Sequence, residues 1–271
     1  MTEIRKIDTN NYAELQKLWT DIFHDDEIFV SEFFSLLSDS LDVFAAEQDG
    51  LFVGSAYILN IFTYKNDDTA LSCPYIYAVG VHPEFRGQGI GKALTAACRD
   101  FCTEKYGVSC LVPANAELFK YYKSTNYING IYTAEYTIER EGAVKADVTS
   151  ISAEEYGKLR EELLVNVPHM EYNEPALRYL AKLSDNLLLI RSDDAYAIAA
   201  YEYRENLLVT EFLCSDENTR GFAAALLWHL DEEELTYRTV AKEMHSENTK
   251  VYGMLSRSLY DGPIYMGPAF D

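Results

Sequence analysis

The sequence contains no apolar run approaching the roughly 18 residues that a membrane-spanning helix needs, so no such helix is expected. Its opening residues, MTEIRKIDTNNYAEL, mix charges throughout and lack the apolar centre of a secretion signal; the chain reads as cytoplasmic. Basic residues are scarce, with 23 Lys and Arg against 44 Asp and Glu, a formal net charge of −21. That balance excludes the basic stripe with which proteins hold nucleic-acid phosphates. It fits either simple solubility or the long-range attraction of a cationic substrate. Cysteines are few and odd in number: Cys73, Cys98, Cys102, Cys110 and Cys214. Four of them sit among apolar neighbours, as reduced core thiols do. Cys98 and Cys102 are one helical turn apart, but no His or further Cys stands nearby to complete a ligand set, so no metal is expected.

What is present points to two α/β halves. The chain has 271 residues, enough for two ordinary domains, and its 48% hydrophobic content supports a core in each. Residues 3–7 read as a strand, 11–23 as an amphipathic helix capped by Asn10 or Asn11, and 29–37 as a second helix. Strands follow at 42–48 and 52–64, joined at Asp49-Gly50, then a loop at 65–70 and a strand at 74–81. A helix with Ile90, Leu94, Ala97 and Phe101 on one face closes at Gly107; strand 108–112, helix 116–124 and strand 130–139 complete the half. The segment 140–147 is the expected boundary, giving domains 1–140 and 141–271. Beyond it the pattern restarts: strand 148–152, a helix opened by the capping box Ser152…Glu155, a helix at 175–183 and strands at 187–192, 195–204 and 207–214. Helix 220–232, strand 235–241 and a helix at 250–258 close it. The repeat is one of pattern, not of letters.

The most specific stretch is 81-VHPEFRGQGIGKAL-94. Three glycines at alternate positions run from a strand into a helix. Glycine lets successive N–H groups converge and lets a bulky anion approach the backbone, where the helix dipole adds its positive end. A phosphate or pyrophosphate is the natural guest. Two nucleotide loops fail on spacing: Lys92 is followed by Ala93 where a Walker loop needs Ser or Thr, and counting from Gly87 the last glycine of a dinucleotide fingerprint falls on Lys92. What remains is R-x-x-G-x-G, at Arg86, Gly89 and Gly91.

That pattern, after the strand 75-YIYAVGV-81 and Pro83 and before Asn115 and Tyr122 in N-x(6)-Y, resembles the GNAT (Gcn5-related N-acetyltransferase) superfamily over residues 3–140. The resemblance implies an α/β fold of GNAT type, a mixed, mostly antiparallel twisted sheet flanked by helices, here in two tandem copies. It implies acetyl-CoA as co-substrate, its pyrophosphate cradled by the backbone of Arg86, Gly87, Gln88, Gly89, Ile90 and Gly91. Val79, Gly80 and Val81 match the strand that splays from its neighbour to admit pantetheine, with Gly80 easing a bulge and an N–H near Val79 available to the thioester oxygen. Asn115 matches a second cofactor contact. Tyr122 matches the residue that protonates the leaving thiolate. Asn126 stands where the family has glycine; asparagine tolerates the left-handed conformation that a helix end there requires.

The general base is not legible. Relatives place a glutamate on the strand before the loop, and CPYIYAVGV has none. Asp25, Asp26 and Glu27 are the candidates for holding the acceptor cation or passing its proton, unless they form only a solvated turn. The second half has one glycine in 215-SDENTRGFAAALL-227, among acids that would repel a phosphate, so it is expected to be a degenerate copy that walls the acceptor pocket or makes a homodimer contact. The expected activity is acetyl transfer to a primary amine of a small molecule or peptide, cationic by preference. The alternative is a silent CoA-binding sensor or partner-binding protein. Neither reading involves nucleic acid, membrane or metal.

Overall fold

The structure, a computed structural model, describes residues 2–7, 12–67, 69–140, 145–203 and 207–270. The Asn10 or Asn11 cap and half of the expected boundary segment, 141–144, lie outside them. The chain forms two compact units. The first comprises Met1–Thr63, Ala70–Asn129 and Gly253–Leu259; the second comprises Tyr64–Thr69, Gly130–Tyr252 and Tyr260–Asp271.

The first unit opens with β1 (Glu3–Ile7), α1 (Tyr12–Phe23) and α2 (Glu27–Leu37). The stripe on α1 is buried at Leu15, Leu18, Trp19 and Ile22, and that on α2 at Val30, Phe33, Phe34 and Leu37. Trp19 locks the two helices together, its ring 4.7 Å from that of Phe33 and 4.9 Å from that of Tyr57. Strands β2 (Leu41–Gln48) and β3 (Leu51–Leu59) form the expected hairpin, Asp49 and Gly50 both taking positive φ. The strand expected over 52–64 is broken at Asn60. Its backbone N–H donates to Ser40 and its side-chain amide to Asp42, and the chain restarts as β4 (Phe62–Asn66) and β5 (Thr69–Ser72) where a loop was expected. Then come β6 (Tyr75–Val81), α3 (Ile90–Tyr106), β7 (Cys110–Leu111) and α4 (Ala116–Lys123). The sheet order is β1-β2-β3-β6-β7, antiparallel except for β6 and β7. The buried face of α3 runs through Ile90, Leu94, Thr95, Cys98 and Cys102, one position round from the expected stripe, so two of the thiols are core residues in place of Ala97 and Phe101.

The second unit holds β8 (Ile128–Glu139) from Gly130 onward, then β9 (Asp147–Ser150), α5 (Ala153–Leu163), β10 (His169–Tyr172), α6 (Glu174–Leu183), β11 (Asn186–Ser192), β12 (Ala195–Tyr203), β13 (Leu207–Cys214), α7 (Thr219–His229), β14 (Glu234–Thr239) and the start of β15 (Thr249–Leu255). Its sheet order is β9-β11-β12-β13-β14-β8, with β13 and β14 parallel. Ser152 caps α5 as expected, accepting from the N–H of Glu155 at 3.1 Å. Helix α7 is apolar nearly all round because it is buried from Gly221 to Leu227 against Ile190, Ala199 and Phe212. The helix expected at 250–258 is the strand β15 instead, with Gly253, Met254 and Leu255 buried in succession at its end.

This strand overturns the expected division at 140. Its residues Met254 and Leu255 pair with Leu111 and Cys110 of β7, so the first unit is completed by the far end of the chain. Conversely β8, assigned by sequence to the first half, pairs along 134–139 with β14 of the second unit. Each half of the sequence thus gives away its last strand.

Candidate functional site

Strand β6 carries an irregularity where the resemblance places the cofactor's arm. Gly80 pairs with Ser55 and Tyr77 with Tyr57, so Ala78 and Val79 together face Ala56 alone. Ala78 adopts φ 46°, the strained residue of this bulge. The bulge was expected at Gly80, which serves another purpose. A Cβ at Gly80 would lie 2.7 Å from Ile22 Cγ2 and 2.8 Å from Phe23 Cζ, so the end of α1 presses onto the bare backbone. On its other edge β6 pairs with β7 only at Tyr75–Cys110. From Ile76 to Val81 that edge meets no neighbouring strand among the described residues, and Val79 and Val81 are half-exposed beside it.

The loop after β6 forms the expected cradle. A 3₁₀ turn over Pro83–Phe85 leads to Arg86, whose Nε donates to the carbonyl of Val81 at 3.0 Å. Gly87 (φ 80°) and Gly89 (φ 79°) are both left-handed, with nothing within 4 Å of a Cβ at either; conformation, not space, requires glycine there. Gly91 differs: a Cβ on it would lie 3.2 Å from Tyr121 Oη and 3.6 Å from Val81 Cγ2. Gln88 is exposed on the loop and Ile90 is buried as the first residue of α3. Gly89 offers no side-chain cap, and the N–H groups from Gly87 through Lys92 find no acceptor among the described residues. The first helical bond is that of Ala93 to Gly89. A row of converging donors at a helix N-terminus fits the pyrophosphate of a nucleotide cofactor.

Asn115 and Tyr122 share α4. The Asn115 side-chain oxygen accepts from the N–H groups of Glu117 and Leu118, both at 3.1 Å, so its first role is to start the helix that carries Tyr122. Tyr122 is buried, its ring edge-on to Tyr121 at 5.0 Å and to Tyr127 at 6.2 Å. Burial pushes its phenol well above the usual tyrosine value, and Tyr121 and Cys98 add to this, so it holds its proton firmly. Asn126 takes φ 67°, which ends the helix as expected, and Tyr127 anchors it through a 2.8 Å hydrogen bond to Ser109.

The three acids after α1 separate. Asp26 is the N-cap of α2, accepting from the Phe29 N–H at 2.8 Å. Glu27 lies on the exposed first turn of α2, facing a groove of about 750 Å³ between the two helices. Asp25 is half-buried and accepts from the Trp19 indole N–H at 2.8 Å, which fixes it beside the aromatic cluster that includes Tyr77 of β6. Sequence reasoning missed this orientation of Asp25 by Trp19, and it missed Tyr121. The Tyr121-Tyr122 doublet was the only signal of the latter.

Among the described residues the second unit forms no such cradle. At the start of α7 the Asn218 side chain accepts from the Gly221 N–H at 3.1 Å, Asp216 accepts from the Asn218 N–H at 2.7 Å, and Glu217 adds a further carboxylate. Strands β13 and β14 pair only at 208–209 with 236–237, and the cleft of about 910 Å³ beyond is rimmed by Asp216, Glu217 and Glu243. These residues do not fit a pyrophosphate. Among the described residues no group of His, Cys, Asp and Glu is arranged to hold a metal, and no helix is long and apolar enough to cross a membrane.

A mixed sheet with a bulged, splayed strand feeding a helix N-terminus lined by free N–H groups defines the fold as a mixed α/β one flanked by helices. Residues 3–128 match the acetyltransferase (GNAT) domain family. It is similar in fold to a protein of unknown function from Enterococcus faecalis described as a probable N-acyltransferase (14% identity, 94% of this chain and 72% of that one, TM-score 0.72). A GCN5-related N-acetyltransferase from Anabaena variabilis is equally similar (15% identity, 94% and 72%, TM-score 0.72). A tandem GNAT protein from the clavulanic acid biosynthesis pathway matches over 94% of this chain and 97% of its own, with 12% identity and a TM-score of 0.54. No curated protein matches the sequence.

Proposed function

We propose that the chain is an acetyl-CoA-dependent N-acetyltransferase acting on a primary amine of a small molecule or peptide by direct attack. The observation that carries this is the row of N–H groups from Gly87 through Lys92 without acceptors. Their backbone, with Arg86 before them, holds the pyrophosphate. The open edge of β6 at Val79, Gly80 and Val81 offers its amides to the pantetheine arm. The N–H near Val79 faces the thioester oxygen, where negative charge grows during attack. The bound co-substrate supplies an activated acetyl group. The amine nitrogen bonds to the acetyl carbon, the carbon–sulfur bond breaks, and Tyr122 gives its proton to the departing sulfur. The amine's own proton leaves through Asp25, whose orientation by Trp19 makes it the best placed of the three acids and gives a cationic acceptor its counter-charge. One such site serves the chain on this reading, since the described start of α7 is occupied by Asn218 and Asp216. The free, mostly buried thiols accord with a reducing, cytoplasmic setting.

A panel of primary amines with acetyl-CoA and thiol detection tests this. The expected result is CoA release with at least one amine, and a fall in kcat of about 10²- to 10⁴-fold in Tyr122→Phe. The lack of any carboxylate on β6 favours the alternative, a silent CoA-binding sensor. Acetyl-CoA binding with no CoA release from any amine, and no effect of Tyr122→Phe, would establish that alternative.

A further inference from the structure

Strand β13 parts from β14 as β6 parts from β7, but the space it opens is lined for a different guest. Along β12 the partners of β13 run Val209 with Tyr201 and then Glu211 with Ala200, so Thr210 is an extra residue, the counterpart of the bulge in β6. On the other side β13 pairs with β14 only at Leu208 and Val209. From Thr210 to Cys214 that edge meets no strand among the described residues, and beside it lies the cleft of about 910 Å³. Alternate residues of such an edge turn both their N–H and C=O groups into the gap.

The lining sets the chemistry of the ligand. Its floor is apolar: Leu213 and Ala134 are buried, and Tyr237 is held by ring contacts to Phe212 at 5.2 Å and Tyr136 at 5.6 Å. Tyr136 keeps 39% of its surface exposed, so one aromatic face of the cleft is open to a guest. The rim is acidic. Asp216, Glu217 and Glu243 are exposed there, against Lys242 as the single base among the lining residues. Such a rim repels a ligand that carries phosphates and draws in one that carries ammonium or guanidinium groups. The free edge of β13 calls for a partner with its own alternating N–H and C=O groups. An extended polypeptide has both, and its side chains alternate in direction, so that apolar ones reach the floor while basic ones reach the rim.

We propose that the cleft between β13 and β14 binds an extended basic peptide, which adds a strand to the free edge of β13 and sets Lys or Arg side chains against Asp216, Glu217 and Glu243. The site uses no residue of the Gly87–Lys92 loop and stands or falls independently of the acetyl-CoA reading.

Cys214 provides a local readout. It lines the cleft and is half-buried, whereas Cys73, Cys98, Cys102 and Cys110 are completely buried, so iodoacetamide should alkylate Cys214 first. The probes are octapeptides in which Lys, Glu or Ser alternates with apolar residues, screened on an array against the intact chain; the best retained sequence is then titrated in solution. The expected result is retention of the Lys series and saturable slowing of Cys214 alkylation by its best member. Affinity should fall about fivefold to tenfold in the double variant Glu217→Gln/Glu243→Gln, whose exposed positions leave the melting temperature unchanged. Methylating alternate peptide amides should cost about fivefold per methyl in one register and nothing in the other, as pairing along one edge requires. Failure of every Lys-series peptide to bind would overturn the proposal, and so would binding that leaves Cys214 unprotected or is unchanged in the double variant. Spermine protecting Cys214 as strongly as the peptide would assign the cleft to a linear polyamine and overturn the peptide.

Discussion

Removing residues 141–271 should leave the first half unable to hold a native fold, because its sheet lacks a strand. The strand β7 is two residues long and its outer partner is Met254–Leu255. Both partners are fully buried, at 0% and 1% exposure. Burial of two such side chains is worth about 3–6 kcal/mol, an upper bound because unfolded chains already bury some surface. Ser109 and Ser256 add reciprocal hydrogen bonds: the Ser109 N–H donates to Ser256 Oγ, and the Ser256 N–H to the Ser109 carbonyl, both at 2.9 Å. At about 1 kcal/mol each, they bring the loss close to the 5–15 kcal/mol on which a whole domain rests. The fragment also exposes Ile131, which is completely buried in the second unit.

The assay is urea unfolding of residues 1–140, followed by circular dichroism, with and without a synthetic peptide of residues 247–259. Alone, the fragment should show no cooperative transition. With peptide, a transition should emerge with saturable dependence on peptide concentration. A fragment that unfolds cooperatively alone, with a midpoint unmoved by the peptide, would refute the reasoning. In the intact chain Met254→Ala should cost about 2–5 kcal/mol in the same denaturant series.

Three further outcomes follow from particular contacts. Gly80→Ala drives a methyl group against Ile22 and Phe23 and should lower stability by about 1–3 kcal/mol in thermal unfolding. Glu211→Ala leaves Arg160 buried without the carboxylate that it contacts at 3.1 Å and that Tyr156 also donates to at 2.6 Å; denaturant unfolding should show a loss of about 3–5 kcal/mol. Burial raises the phenols of Tyr57, Tyr122 and Tyr127 in the folded state, so the folded protein keeps protons that the unfolded chain releases. Their contribution is intact below about pH 10 and is lost as pH rises beyond it; after the exposed tyrosines have ionised, the remaining tyrosinate absorbance should therefore grow together with loss of structure.

What the sequence made legible is what short-range chemistry dictates. The Asp49-Gly50 hairpin, the Ser152 cap, the glycine loop and the left-handed Asn126 all depend on a few consecutive residues, and all are where those residues put them. Most of the failures are long-range. The strand character of 249–255 depends on partners more than 100 residues away, and nothing local in VYGML says that β7 needs a neighbour. The role of Gly80 depends on where α1 ends, and the role of Gly91 on a tyrosine 30 positions later, so all the glycines look alike until the helices are packed. Asp25, Asp26 and Glu27 look interchangeable as letters, because the choice among them is made by the indole of Trp19 six residues before and the backbone of Phe29 three residues after.

The helix caps turn this contrast into an argument about function. Side chains of Asp26, Asn115, Ser152, Asn173 and Asn218 cap α2, α4, α5, α6 and α7. Of the helices whose caps are described, α3 alone starts without one. A missing cap costs about 1 kcal/mol, and two left-handed glycines before it add the entropy of ordering them. A fold that caps its other helices has no structural reason to leave the longest one bare, and a serine or asparagine at position 89 would satisfy some of the same N–H groups. The vacancy is explained if the cap is the ligand: whatever binds at Gly87–Lys92 supplies the acceptors that the chain withholds. The start of α7 gives the control, since there Asn218 and Asp216 occupy the N–H groups and the helix is complete without a guest. An acetyl-CoA titration should accordingly raise the melting temperature of the first unit and leave that of the second unmoved.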